Sequence, residues 1–256
     1  LRNTKITIGE TEYQMGIGGL HSREKAQYVV ADDDHILADF DVASFYPSII
    51  LQQKLAPTSM GKPFLQVYQG LVTRRIAAKK AHDTVTADVL KIAVNGSFGK
   101  LGSKYSALFA PELLIQTTLT GQLCLLMLIE AIEAVGAKVI SANTDGIVVH
   151  CRKSLETAVE VVCWDWMLET SFELERTDYA AIASRDVNNY VAVKLDGKTK
   201  GKGVFAGDSL AKNPDYQIIP NAVTAYIADG VPIEDTVRGC KDIRQFVSIR
   251  KVTGGA

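Results

Sequence analysis

Two aspartates at alternate positions, Asp39 and Asp41, fall within the run His35-Ile36-Leu37-Ala38-Asp39-Phe40-Asp41-Val42, whose pattern reads as a buried strand. Such a strand carries both carboxylates toward its carboxyl end, ahead of a Ser44-Phe45-Tyr46-Pro47 turn and a short apolar run. Carboxylates beside a tight turn with outward-facing N–H groups suit a divalent cation held against a phosphate. By itself D-x-D is more often a turn cap. A third carboxylate, Asp145, sits at the tip of a strand-turn-strand pattern formed by Lys138–Ala142 and Ile147–His150. Taken alone it is turn chemistry.

Cations occupy the stretch between these acids. Arg75 and Lys79 are four residues apart and share a helical face, as do Lys91, Asn95 and Phe98 on the next helical pattern. Two cationic faces turned toward each other repel unless an anion lies between them, and a triphosphate would fit. Val89-Leu90-Lys91-Ile92-Ala93-Val94 predicts apolar surroundings for Lys91 on most sides. Lys198, Lys200 and Lys202, interleaved with Gly197, Gly201 and Gly203, form a small basic loop that lets a backbone approach phosphates closely.

The elements that must position these residues follow from periodicity and breakers. Helices are expected over 64–82 and 84–98 as an antiparallel hairpin, over 111–135 as a buried helix, and over 154–171 with Trp164 and Trp166 as packing residues. Strands are expected at 28–31, 172–175, 179–183 and 190–194, and helices at 220–228 and 232–246. The rest of 1–34 reads as polar and irregular, with a loop at Gly16, Gly18 and Gly19.

Composition is that of an ordinary soluble globular chain, with 256 residues, 47% hydrophobic and 22% charged. The net charge of −1 gives no global basic field, so any nucleic-acid surface must be local. Cys124, Cys151, Cys163 and Cys240 are widely spaced without a C-x-x-C, which argues against a zinc site and for a reduced, intracellular setting. The longest apolar run, Leu123 to Ile129, is short for a bilayer span, and no signal peptide is visible. A chain that starts at Leu1 and stops after Val252-Thr253-Gly254-Gly255-Ala256 reads as a fragment of a longer polypeptide.

The string Asp41-Val42-Ala43-Ser44-Phe45-Tyr46-Pro47-Ser48-Ile49-Ile50 resembles motif A of the family B DNA polymerases, D-x-x-S-L-Y-P-S-I-I, with Phe45 as the one departure. Lys91-Ile92-Ala93-Val94-Asn95-Gly96-Ser97-Phe98-Gly99 resembles motif B, K-x-x-x-N-S-x-Y-G, with Gly96 for serine and Phe98 for tyrosine. Asn143-Thr144-Asp145-Gly146 resembles motif C, D-T-D-S, with Asn143 at the first aspartate and Gly146 for serine. Ile17-Gly18-Gly19 resembles the Y-x-G-G loop, Gly16 standing at the tyrosine. Asn188-Asn189-Tyr190 lies where the family has K-K-x-Y, and Lys200-Gly201-Lys202-Gly203 resembles K-x-K-G.

The resemblance implies an α+β fold: a palm with a mostly antiparallel sheet flanked by helices (35–62 and 100–205), short helical-hairpin fingers (63–99), a truncated thumb (206–256) and an N-terminal connecting segment (1–34). The short fingers look most like phage-type members. The implied activity is template-directed DNA synthesis, with primer-template DNA and dNTPs as partners alongside other replication proteins, no membrane, and a cytoplasmic location, that of the host cell for a viral protein. The implied cofactor is a pair of Mg²⁺ ions, with Mn²⁺ as an alternative. Asp41 and Asp145 would be catalytic, holding metal together with Val42. Ser44, Phe45, Tyr46, Arg75, Lys79, Lys91 and Asn95 would bind the nucleotide. Gly18, Gly19, Gly99, Thr144, Tyr190, Lys200 and Lys202 would meet DNA. Asp39 is expected to be structural. Two other readings stay open at this point: a metal-dependent glycosyltransferase of the GT-A type, which also uses D-x-D, and a non-catalytic DNA-binding relic of a polymerase.

Overall fold

The computed structural model describes residues 4–207 and 215–250, and the ends of the chain noted above, like part of the expected thumb, lie outside the described residues. Its frame is a ten-stranded sheet whose pairings are all antiparallel. The strands are β1 (Lys5–Ile8), β2 (Thr11–Met15), β3 (Leu20–Ser22), β4 (Gln27–Val30), β5 (His35–Val42), β6 (Lys138–Asn143), β7 (Gly146–Arg152), β8 (Leu174–Asp186), β9 (Asn189–Lys194) and β10 (Thr199–Lys202). They run in the order β1-β2-β3-β6-β7-β5-β8-β9-β10, and β4 pairs the distal half of β8. The α+β architecture with a mostly antiparallel sheet is thus as the sequence implied.

β5 lies mid-sheet because both of its edges are paired, one to β7 and the other to β8. The two-residue period of a strand sorts its side chains. Ala38, Phe40 and Val42 go to the large core beneath the helices, while Leu37, Asp39 and Asp41 share the opposite face. Burial on the helix side is what fixes this register: a one-residue slip would drive both aspartates into the apolar core.

Helices cover the first face. α1 (Phe45–Gln52) starts where a turn followed by a loose apolar run was expected. Pro47 accounts for the difference, since proline breaks helices internally but fits a first turn. α2 (Lys62–Lys80) and α3 (Thr84–Lys100) form the expected hairpin. Asp83 caps α3 by accepting from the Thr86 N–H at 3.0 Å, and Tyr68 Oη donates to the Val94 carbonyl at 3.1 Å to hold the pair together. α4 (Pro111–Ala134) and α5 (Glu156–Thr170) complete the layer. By length and composition α4 could cross a bilayer, yet Leu125, Leu128, Ile129 and Ile132 are fully buried in the core against the sheet and neighbouring helices.

Three expectations change. Residues 5–22 are not irregular but form three short strands, and the buried side of β2, Thr11, Tyr13 and Met15, shows an alternation hidden among polar residues. The two strands expected between 172 and 183 are one, β8, of 13 residues. The helix expected over 232–246 is a seven-residue α7 (Ile233–Gly239) after α6 (Ile218–Asp229), followed by a single 3-10 turn at Ile243–Phe246. Gly239 and the Asp242 side chain, which accepts from the Arg244 N–H, divide that run.

Contact between α1 and α4 depends on Gly121. A Cβ there would lie 3.1 Å from both Phe45 Cε1 and Tyr46 Cε1. Replacement by leucine should force the helices apart and destabilise the fold by about 2 kcal/mol, read as a lowered midpoint in chemical denaturation.

Candidate active site

The open face of β5, the tip of the β6–β7 hairpin, the start of α1, the inner faces of α2 and α3, and the β9–β10 hairpin enclose a cleft of 690 Å³. Its floor is set by strand pairing. Asp41 lies opposite Gly146 in the β5–β7 ladder, and the Val42 N–H donates to the Asp145 carbonyl at 2.6 Å. Thus two carboxylates that are 104 residues apart in the chain, at 41 and 145, arrive side by side.

Both turns that present them carry a non-glycine residue in the left-handed region, Ser44 at φ 50° and Thr144 at φ 61°. Such backbone persists only where neighbours hold it. Here the Thr144 N–H donates to the Leu20 carbonyl at 2.8 Å, and Arg75 Nη1 donates to Ser44 Oγ at 2.7 Å. Gly146 leaves space at this contact: a Cβ would lie 2.2 Å from Asp41 Oδ1 and push the carboxylate aside. The glycine that departs from the family pattern therefore makes room for the Asp41 carboxylate. Asn143 is explained as well. Its Nδ2 donates to the Val187 carbonyl at 2.8 Å, a contact that a carboxylate could not make.

The acids repel and are partly desolvated. Burial, then the neighbouring Asp39, push the Asp41 carboxyl up to about 6, with Asp145 adding to the rise and Lys200 opposing it. Desolvation raises Asp145 as well, against the pull of Lys202 and Lys200. Lys200 loses solvation too, yet Asp39, Tyr190 and Asp41 together outweigh that loss and its pKa is raised. The Lys200 ammonium lies 2.9 Å from Asp39 and 3.6 Å from Asp41. Among the described residues no three metal-ligating side chains converge. The donor set is nevertheless of the hard-oxygen kind that Mg²⁺ prefers: two carboxylates and the main-chain carbonyl of Val42.

Across the cleft stand the cations. Arg75 lines this space and is held by its bond to Ser44; its Nε is buried with no partner among the described residues. Lys79 is tied to Glu175 at 2.9 Å. Lys91 and Asn95 line the cleft but are exposed, and the apolar surroundings expected of Lys91 are not there: Val89 and Ile92 point to solvent at 61% and 74% exposure. The α3 helix rises off the sheet, so only Ala87, Leu90 and Val94 find cover.

Tyr46 packs on Phe98, ring centroids 4.6 Å apart, and donates to the Gly18 carbonyl at 2.7 Å. Gly19 passes so close that a Cβ would meet Tyr46 Oη and the Thr144 side chain at 3.0 Å. The Gly18–Gly19 loop is thereby pinned to both acidic turns. Tyr190 and Lys202 meet at the far rim, the ammonium 5.9 Å from the ring centre. Gly99 ends α3 with open space around it and does not line the cleft. Sequence reasoning missed three participants: Glu175, which holds Lys79; Tyr179, which donates to Asp39; and His21, 3.5 Å from Thr144 Oγ1. Only Glu175 had a signal, an acid two places beyond Glu173 on an alternating strand.

No family model matches the chain. Over 124 residues it is 26% identical to DNA polymerase 1 of Sulfolobus acidocaldarius, which is 48% of this chain and 14% of that protein. The structure of the family B DNA polymerase from Pyrobaculum calidifontis shares the fold with a TM-score of 0.59 at 17% identity, over 93% of this chain and 35% of that one. The fold thus matches part of a polymerase, and this chain spans only a minor share of the length of either relative. It is a segment related to the family B DNA polymerases.

The raised Asp41 pKa has a measurable consequence. The folded value, about 6, exceeds the ordinary 3.8, so the folded state loses stability as pH climbs from 3.8 through 6 and carries the full cost above it. In metal-free buffer at pH 8, Asp41→Asn should stabilise by about 1 kcal/mol once solvent screening is allowed for, or about 3 °C in Tm. The gain should shrink as pH falls below 6 in a thermal melt.

Proposed function

We propose that this chain is the polymerase core of a template-directed DNA polymerase, which joins a deoxynucleotide from a dNTP to a primer 3′-hydroxyl. One observation carries the reading: Asp41 and Asp145 stand together on the floor of a single cleft while Arg75, Lys79 and Lys91 face them from a helical hairpin. In this reading residues 35–62 and 100–205 are the palm, 63–99 the fingers, 206–256 the start of the thumb and 1–34 the connecting segment.

The primer 3′ oxygen bonds to the α-phosphorus as the α–β anhydride breaks and pyrophosphate leaves. Bound at Asp41, Asp145 and the Val42 carbonyl, two Mg²⁺ ions, or Mn²⁺, would supply a more acidic 3′-hydroxyl and a counter-charge for the leaving group. The chain's own work is positioning and charge compensation. Arg75, with Lys79 and Lys91 beside it, offers its guanidinium charge to the phosphates, and Asn95 lies one helical turn beyond Lys91 along the same wall. Lys79 must exchange Glu175 for the nucleotide. Ser44 and the N–H groups of 44 and 45 cradle the triphosphate at the start of α1. Tyr46, fixed by Phe98 and Gly18, lies under the sugar and excludes a 2′-hydroxyl. Tyr190, Lys200, Lys202, Thr144 and the Gly18–Gly19 loop would border the primer-template.

The test is primer extension with Mg²⁺ and dNTPs by the intact protein that contains this chain. Asp41→Asn and Asp145→Asn should each lower the rate by about 10³-fold or more, and Lys91→Ala should act chiefly through a raised KM for dNTP. Gly146→Ala, which displaces the Asp41 carboxylate, should lose activity while the fold persists. Activity that survives either aspartate change excludes this site. Inactivity of the intact protein favours the DNA-binding relic.

A further inference from the structure

Asp39 was expected to be structural, but its surroundings assign it a task in the cleft. It shares a face of β5 with Asp41, one alternation back from the strand end, and its side chain is only 7% exposed. Both of its charged or polar partners converge on one oxygen: Tyr179 Oη donates to Oδ2, and Lys200 Nζ donates to the same atom at 2.9 Å. Lys200 also contacts Tyr179 Oη at 3.2 Å, and lies 3.6 Å from Asp41 Oδ2. One ammonium therefore stands between two carboxylates, closer to the buried one.

The backbone that carries Lys200 is fixed. Its strand pairs with β9 at Lys200↔Ala192, and the following Gly201 runs so tightly beneath the chain that a Cβ would lie 2.0 Å from the Phe205 carbonyl oxygen. An ammonium delivered to this place will be neutralised by whichever carboxylate it can reach. If that were Asp41, the lysine would occupy the charge that a divalent cation needs.

We propose that Asp39, held by Tyr179, is a positioning residue that takes up the charge of Lys200 and so leaves Asp41 open to a divalent cation. This rests on the polymerase reading of the cleft, in that Asp41 must be a cation ligand. Asp39 is not itself the ligand, because its Oδ2 already accepts from two donors in a nearly closed site. The chemistry is simple electrostatics: with Asp39 ionised, the local set of Asp39, Asp41, Asp145 and Lys200 retains two negative charges, and without it only one.

The experiment is Mn²⁺ binding to the intact protein without DNA or nucleotide, followed by the electron paramagnetic resonance of free Mn²⁺, with Asp41→Asn as the control that loses the site. Asp39→Asn should weaken Mn²⁺ binding about tenfold, the scale typical of residues that orient a ligand. Adding Lys200→Met to Asp39→Asn should bring affinity back to within about twofold of the unaltered protein, a rescue that a packing role would not produce. Tyr179→Phe keeps the fold if Asp39→Asn does not, and should weaken binding by about threefold, again reversed by Lys200→Met. Unchanged affinity in Asp39→Asn, or in Tyr179→Phe where that variant carries the test, overturns the proposal. So does a double variant as weak as its single parent. Should the unaltered protein bind no Mn²⁺, the polymerase reading falls and this proposal with it; normal binding that ignores Asp39 removes this proposal alone.

Discussion

The β5–β7 ladder is the constraint on which everything else depends. It sets Asp41 opposite Gly146 and so places Asp145 beside it, although the two carboxylates repel and both are partly stripped of water. Left to themselves such groups would separate. They stay because seven residue pairs, His35↔Arg152 to Asp41↔Gly146, would have to break first, and because the opposite faces of the same strands bury Ala38, Phe40, Val42, Ile147 and Val149. Burial on one side of the sheet holds unfavourable charge on the other. Sites with perturbed carboxylates are where function is expected, and this one lies in a cleft.

Around that strained pair the chain arranges compensation at three distances. Lys200 is nearest, shared between Asp39 and Asp41. Arg75 and Lys79 reach across from α2, already engaged with Ser44 and Glu175. Lys91 and Asn95 stand exposed on α3. The gradation from buried and paired to exposed and unpaired fits a site where the inner charges are set and the outer ones are available to a ligand. A hairpin that carries exposed Val85, Val89 and Ile92 on its outer side has little packing to restrain that side.

The departures from the family's motifs fit the structure piece by piece. Gly146 vacates the space that the Asp41 carboxylate fills, Asn143 donates where an acid could not, and Phe98 supplies an aromatic face to Tyr46 without a hydroxyl. The Gly18–Gly19 loop, modest as a motif, is tied into the site through Tyr46 and Thr144. Each change is local and leaves the relation between Asp41 and Asp145 intact.

Much was legible in the residues alone. Alternation located β5 and the β6–β7 hairpin, the helical period located α2 to α5, and the spacing of Arg75, Lys79, Lys91 and Asn95 put them on facing sides of one helical hairpin, because these are properties of a few neighbouring residues. The short strands β1 to β3 were not legible: three to five residues of mixed polarity carry too little local preference, and the sheet edge decides them. Nor could the sequence tell that Lys200 reaches Asp39 across 161 positions, that Glu175 holds Lys79, or that Lys91 is bare to solvent. Those facts depend on which strands become neighbours and how far α3 stands from the sheet. Local chemistry chose the groups; only the long-range pairing of β5 with β7 and β8, and of β9 with β10, decided which charges would face one another.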